Sequence, residues 1–248
     1  MRTRAAWWLG LAGVALIIVG CGRVTPPAAP SGFAAAGAQR WQRARFDLTR
    51  AAYDQEQVVA RDPRSSAAYA RLAQIMDALG HPRTALALAT HALRLAPGSA
   101  TLEDNVGLLA LQAGEWNAAG VAYGRAIQRH PVDWLAWVGL AAVAVERADW
   151  PAAERDLRRA EVLGGPEGAT YDEWGRLLLA EHQPAAALGF FRAAVRVSPG
   201  WWQPWYDAAQ AERALHNLGR ARRDAATALT LDPAGGPAVV LLTTLSGS

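Results

Sequence analysis

Residues 168–200 read GATYDEWGRLLLAEHQPAAALGFFRAAVRVSPG, and their spacing decides the fold. Tyr171, Trp174, Gly175 and Leu178 recur along one face of a helix, and Ala187, Phe191 and Ala194 recur along another. Apolar residues three or four apart mark a helix with one oily stripe, here twice over in segments of about 12 residues. His182 falls at the turn between them. Pro199 stops the second helix because its ring nitrogen brings no amide donor.

The pattern extends outward in both directions. Ala85, Ala119, Ala153, Ala187 and Ala221 stand 34 residues apart, and Ala92, Ala126, Ala160, Ala194 and Ala228 keep the same step. Pro63, Pro97, Pro131, Pro199 and Pro233 follow in register, with Pro166 displaced by one residue. Such register over five units identifies an internal repeat. Turn strings recur between the paired helices: Gly80-His81-Pro82, Gly114-Glu115-Trp116 and Ala148-Asp149-Trp150. Small residues at fixed positions suit close helix crossings, where a larger side chain would push the axes apart.

The unit resembles the tetratricopeptide repeat, which runs aromatic, Leu-Gly, Tyr, then Ala, Phe and Pro. Residues 168–201 carry this best. The unit at 100–133 offers Val106, Gly107, Ala119, Tyr123, Ala126 and Pro131. The unit at 134–167 offers Trp137, Leu140, Ala141 and Ala153, and the one at 66–99 Tyr69, Leu72, Ala73, Ala85 and Pro97. The unit at 202–235 has Trp205, Ala208, Ala209, Ala221 and Pro233, but departs at Glu212, where an apolar residue is usual. The resemblance implies an all-α fold, a right-handed superhelical solenoid of helix-turn-helix repeats over 66–235. Residues 38–65 read as a degenerate leading repeat, with Ala51, Val58 and Pro63 in register and Phe46-Asp47-Leu48 at the turn position. Residues 236–248 form an apolar tail placed to close the last repeat.

The N-terminus carries a different signal. Arg2 and Arg4 precede an uninterrupted apolar run from Ala5 to Val19, which ends at the only cysteine, Cys21. Fifteen residues reach roughly 22 Å as a helix, short of a ~30 Å hydrocarbon core. A basic start, a short apolar run and small residues at its end describe a secretory signal, residues 1–20. Ile18-Val19-Gly20-Cys21 resembles a bacterial lipobox, which implies cleavage before Cys21 and acylation of that residue. Residues 21–37, with Pro26, Pro27 and Pro30, read as a Pro/Ala-rich tether. The expected location is the bacterial envelope, lipid-anchored and facing the periplasm. Gly22 is not the aspartate that signals inner-membrane retention, so the outer membrane is expected.

Composition removes several chemistries. All 25 basic residues are arginine, which excludes a P-loop lysine and a Schiff-base lysine. Near balance with 22 acidic residues argues against a nucleic-acid groove. A lone cysteine builds neither a disulfide nor a thiolate metal site. The five histidines show no metal-ligand spacing, and no nucleophile-elbow motif occurs. No enzyme activity, metal or cofactor is expected. Trp137, Trp174 and Trp205 sit at packing positions and are expected in the core.

In repeats of this kind the first helix of each unit lines the concave groove. The facing stripe reads Ala70, Gln74 and Asp77, then Asp104, Leu108 and Leu111, then Val138, Ala142 and Val145. It continues through Asp172, Arg176 and Leu179 to Tyr206, Gln210 and Arg213. The middle is apolar and the ends are polar. Asp104 and Leu108 stand where a clamp for a C-terminal carboxylate would want cations, which disfavours that subgroup. The stripe suits an amphipathic or extended segment of a partner protein, or else it is already buried, by a tight superhelix or by the chain's own 38–62 helix folded inward. The anchor and groove together resemble the pilotins of pilus and secretion systems. The alternative is a glycan-binding envelope protein using an aromatic platform of Trp201, Trp202 and Tyr206.

Overall fold

The computed structural model describes residues 35–164, 167–233 and 236–246. The signal segment, Cys21, most of the tether and Pro166 lie outside them. Among the described residues there are twelve α-helices and no strand. A long first helix, α1 (Ala35–Arg61), is followed by five pairs. These are α2 (Ser66–Ala78) with α3 (Pro82–Leu95), α4 (Ala100–Gln112) with α5 (Trp116–Arg129), and α6 (Trp134–Glu146) with α7 (Trp150–Gly164). Next come α8 (Gly168–Ala180) with α9 (Pro184–Val197), and α10 (Trp202–Ala214) with α11 (Leu218–Leu231). A last helix, α12 (Gly236–Ser246), closes the array. First helices begin at 66, 100, 134, 168 and 202, a step of 34, and second helices keep the same step from 82 to 218. None of these helices is long and apolar enough to cross a membrane.

Local chemistry sets the boundaries. Ser65, Ser99 and Asp133 cap α2, α4 and α6, their side-chain oxygens accepting from Ala68 N, Leu102 N and Leu135 N. Glu167 and Trp201 hold the equivalent positions before α8 and α10 without a side-chain cap. Each first helix ends in the same Schellman closure, where an amide reaches back five residues to an orphan carbonyl. His81 N donates to Met76 O, Glu115 N to Ala110 O, Asp149 N to Ala144 O, Gln183 N to Leu178 O and Asn217 N to Glu212 O, at 2.8–2.9 Å. The closure needs a left-handed residue just before the donor. Gly80 and Gly114 supply it in the first two units, and Ala148, His182 and His216 in the last three, all with positive φ. The three later residues pay for that φ in strain.

Packing follows the repeat. All ten recurrent alanines, from Ala85 to Ala228, are 0% exposed, which lets paired helices cross closely. Size is traded across the interface as well. A Cβ on Gly107 or Gly139 would meet the Tyr123 ring at 2.8 or 2.3 Å, and one on Gly175 would meet Phe191 at 2.5 Å. The first helices also pack beside one another, α4 on α6, α6 on α8 and α8 on α10. They therefore form the inner, concave layer, with the second helices outside. The architecture is the expected all-α right-handed solenoid of helix-turn-helix repeats.

Two expectations are corrected. No turn interrupts α1 at Phe46-Asp47-Leu48, and the helix begins at Ala35. Phe46 takes the place that Gly80 fills one unit later, and a bulky ring in a left-handed conformation is disfavoured, so the helix runs through. Trp137, Trp174 and Trp205 are half-buried rather than core. Trp137 Nε1 and Trp205 Nε1 donate to the Pro131 and Pro199 carbonyls at 3.3 and 3.2 Å, covering the joint before their helices. Trp174 Nε1 donates to Glu161 Oε1 at 2.9 Å. The departure at Glu212 is a buried polar knot. Its carboxylate is 1% exposed and accepts from Asn217 Nδ2 at 2.8 Å and Arg192 Nη2 at 3.5 Å. Arg192 in turn holds Asp224 of α11.

Candidate functional site

A cavity of about 410 Å³ opens on the concave layer, walled by α4, α6 and α8 and bordered by the start of α10. Asp104, Leu108 and Leu111 come from α4, Val138 and Ala142 from α6, and Asp172 and Arg176 from α8. Eight of the fifteen stripe residues do not line it: Ala70, Gln74 and Asp77 at one end, Tyr206, Gln210 and Arg213 at the other, and Val145 and Leu179 between. Val145 packs beside Ala141 and Ala144, and Leu179 packs against the Phe191 cluster. The helix α1 contributes nothing to the lining. It lies along α2, where Gln55 Nε2 donates to Ala68 O at 3.1 Å and Arg45 Nη1 to Leu79 O at 2.8 Å. The inward-folded alternative for the 38–62 segment is thereby overturned.

The lining is not uniformly apolar, and its apolar members are not equally open. Leu108 is 48% exposed, whereas Val138 and Ala142 are buried and act as floor. Tyr123 of α5 reaches the cavity through the space left by Gly107 and Gly139. The wall formed by α8 is acidic. Asp172 and Glu173 both line the cavity and are 4% and 5% exposed, and Asp207 of α10, beside them, is 4% exposed. One cation serves this group. Arg176 Nη1 lies 3.1 Å from Glu173 Oε2, and Nη2 lies 3.6 Å from Glu146 Oε1 on α6. Asp172 Oδ1, Glu173 Oε1 and Asp207 Oδ2 are buried with no hydrogen-bond partner.

Burial and crowding shift these carboxyls upward, since a desolvated anion beside other anions is disfavoured. Asp172 is raised by burial first, then by Asp207 and Glu173, with Arg176 opposing. Burial raises Glu173 against the pull of Arg176. Asp207 is pushed up to about 6 by burial, although Arg176 and hydrogen bonds from Gln210 and Gln203 oppose the shift. At the other end of the cavity, burial and the facing Asp133 push Asp104 up to about 7. Burial, with Asp104 and Glu173 nearby, also raises the Tyr123 hydroxyl.

Trp201 borders the cavity, and the Trp202 and Tyr206 rings lie 6.1 Å apart at 60°. Sequence reasoning missed Glu173, Tyr123 and Glu146. A signal for Glu173 existed in the 34-residue step, which aligns it with Asn105 and Gly139, two other residues of the lining. Among the described residues, no group of three or more His, Cys, Asp or Glu is placed to hold a metal ion.

No protein-family model and no curated protein matches the sequence. Solved structures do match. A tetratricopeptide repeat protein from Parabacteroides merdae superposes with a TM-score of 0.70 at 16% identity, over 84% of this chain and 80% of that one. A thermophilic TPR protein of Thermus thermophilus gives 0.65 at 18% identity, over 74% of this chain and 100% of that one. PilW, described as a widely conserved type IV pilus biogenesis factor, gives 0.55 at 18% identity, over 85% of this chain and 100% of that one. At these identities the likeness is one of architecture, and the chain has the tetratricopeptide-repeat fold.

Proposed function

We propose that this protein is a non-enzymatic, lipid-anchored scaffold whose concave groove captures a segment of another envelope protein during assembly of a complex. One observation carries the reading: the chain's own helices leave a cavity of about 410 Å³ on the inner layer, with an apolar floor and Leu108 open above it. An amphipathic helix or extended apolar segment buries its stripe in such a groove. Acylation at Cys21 would hold the solenoid at the membrane, facing the periplasm at the outer membrane, and raise its effective concentration near envelope partners. A role beside a pilus or secretion channel, like that of a pilotin, is the specific form of this reading. The shared fold with PilW supports it at the level of architecture.

The test uses the full-length acylated protein. Affinity capture from envelope extracts is expected to recover one channel or pilus component, and Leu108→Asp is expected to lose it while the helical circular-dichroism signal persists. Leu108 is the appropriate choice because it is half-exposed, whereas Val138 is floor and its replacement would unfold the unit. Retained capture by Leu108→Asp would move the partner site elsewhere. Cys21→Ala is expected to release the protein into the soluble fraction.

A second reading rests on the Trp202–Tyr206 pair beside Trp201, which offers ring faces to a sugar. Titration with cell-wall fragments, read by tryptophan fluorescence, separates the two. A saturating shift lost in Trp202→Ala would favour the glycan.

A further inference from the structure

Between α6, α8 and α10 the concave face gathers more carboxyl groups than its own cation can pair. Glu146, Asp172, Glu173 and Asp207 surround one guanidinium, that of Arg176. The arginine is committed to Glu173 and Glu146. Asp172 and Asp207 face each other from neighbouring repeats without a salt bridge of their own. Three carboxylate oxygens, Asp172 Oδ1, Glu173 Oε1 and Asp207 Oδ2, are left without donors in residues at least nine-tenths buried. Two of those residues, Asp172 and Glu173, line the cavity. A buried acceptor with no donor is destabilising, and more so when it is charged. A single repeat could dispense with one such group. Assembling them from α8 and α10 on the inner face leaves a deficit that an incoming donor would cancel.

We infer that this acidic wall is a receptor for one cationic side chain, an arginine or lysine, carried by the apolar segment that the groove captures. The inference rests on the groove reading of the preceding section and adds the chemistry of the occupant. Charge complementarity selects a cation. Side-chain shape favours arginine, whose forked guanidinium donates to several acceptors at once and is less strongly hydrated than an ammonium. Its aliphatic stem would run over Val138 and Ala142, and the flanking apolar residues would settle on Leu108 and Leu111. A segment ending in a free carboxylate is disfavoured at this wall by like charge. Burial first, and then crowding by neighbouring carboxyls, raises the proton affinity of Asp172 and Asp207.

The test uses two fluorescent apolar peptides that differ in one central residue, arginine in one and citrulline, its uncharged isostere, in the other. Anisotropy titrations with the full-length protein are expected to show the arginine peptide binding about tenfold tighter, a gap of ~1.4 kcal/mol. Asp172→Asn is expected to shrink that gap to about threefold or less, since the amide keeps the shape and removes the charge. Asp172→Asn also relieves repulsion, so its melting temperature is expected to rise, which separates lost binding from lost folding. Equal affinity of the two peptides for the wild-type protein overturns the cation receptor and leaves the groove standing. An unchanged gap in Asp172→Asn overturns the assignment to this wall. Failure of both peptides to bind overturns both readings.

Discussion

Ala148, His182 and His216 hold a backbone conformation that glycine holds in the first two units. The Schellman closure demands that conformation, and the 34-residue step places it, so the later units accept strain to keep register. Replacing Ala148 by glycine is therefore expected to stabilise the protein by about 1 kcal/mol, because relief of the left-handed penalty exceeds the added chain entropy. Urea titration followed by circular dichroism measures this, and a neutral or negative effect would show that the turn is relaxed. The opposite trade holds at Gly175, where a Cβ would strike Phe191. Gly175→Ala is expected to cost about 1–3 kcal/mol by overpacking. The second change Phe191→Leu should recover most of the loss, since Ala141 and Leu157 form that very pair one unit earlier. A double variant no more stable than Gly175→Ala would mean that the clash is not the cause. The turn histidines were legible as turn residues in the sequence. Their positive φ was not, because neither side chain announces it and only the packed helix pair imposes it.

Between elements, the acidic contact of α8 with α10 makes stability depend on pH in an unusual direction. The groups facing it are Arg176 and Glu173 on α8, Glu146 on α6, Tyr123 on α5, and Tyr206 with Arg213 on α10. For a carboxyl whose folded value is raised, the stabilising contribution is complete below its unfolded value and disappears as pH rises through the folded one. Asp207, with a folded value of about 6, loses its contribution as pH climbs from about 4 through 6, and Asp104 as pH climbs through about 7. The melting temperature should thus rise when pH is lowered from 8 to 5.5, and Asp172→Asn should reduce that dependence. A melting temperature that falls over the same interval would contradict the buried, underpaired state of these acids. The ends of the array were less legible than its middle. The sequence at 38–65 was in repeat register, yet no turn divides it before Arg61, and it packs as one helix against α2. The apolar tail becomes α12, which covers Ala221 and Ala225 of α11 with Leu241 and Leu245, while the Leu245 carbonyl accepts from Arg222. Leu241→Asp should consequently lower the melting temperature by uncovering that face.

Across the whole molecule, the 34-residue step made the repeat readable, and the resemblance to the tetratricopeptide repeat implied which helix of each pair faces inward. Burial within the groove was not readable. Leu108 and Ala142 occupy the same register position, yet one is open and the other is floor, because the neighbouring unit sets the depth. The two halves also differ in what joins them. One continuous apolar cluster runs from Ala52 in α1 to Val143 in α6, whereas the later units are divided among three smaller clusters. The later units also lack side-chain caps before α8 and α10, at about 1 kcal/mol each. They carry strained residues at all three of their turns and bury one carboxylate oxygen each of Asp172, Glu173 and Asp207 without a hydrogen-bond partner. In a solenoid, stability is close to a sum of unit terms and nearest-neighbour interfaces, so such differences accumulate locally. Opening should consequently begin in the C-terminal half. Native-state hydrogen exchange in low urea is expected to show amides of α8 to α11 losing protection before those of α2 to α5. Glu167→Asp, which supplies the absent cap, should raise protection in α8 ahead of any change in α4. Uniform protection along the array would mean that the interfaces compensate for these local defects and the chain opens as one unit.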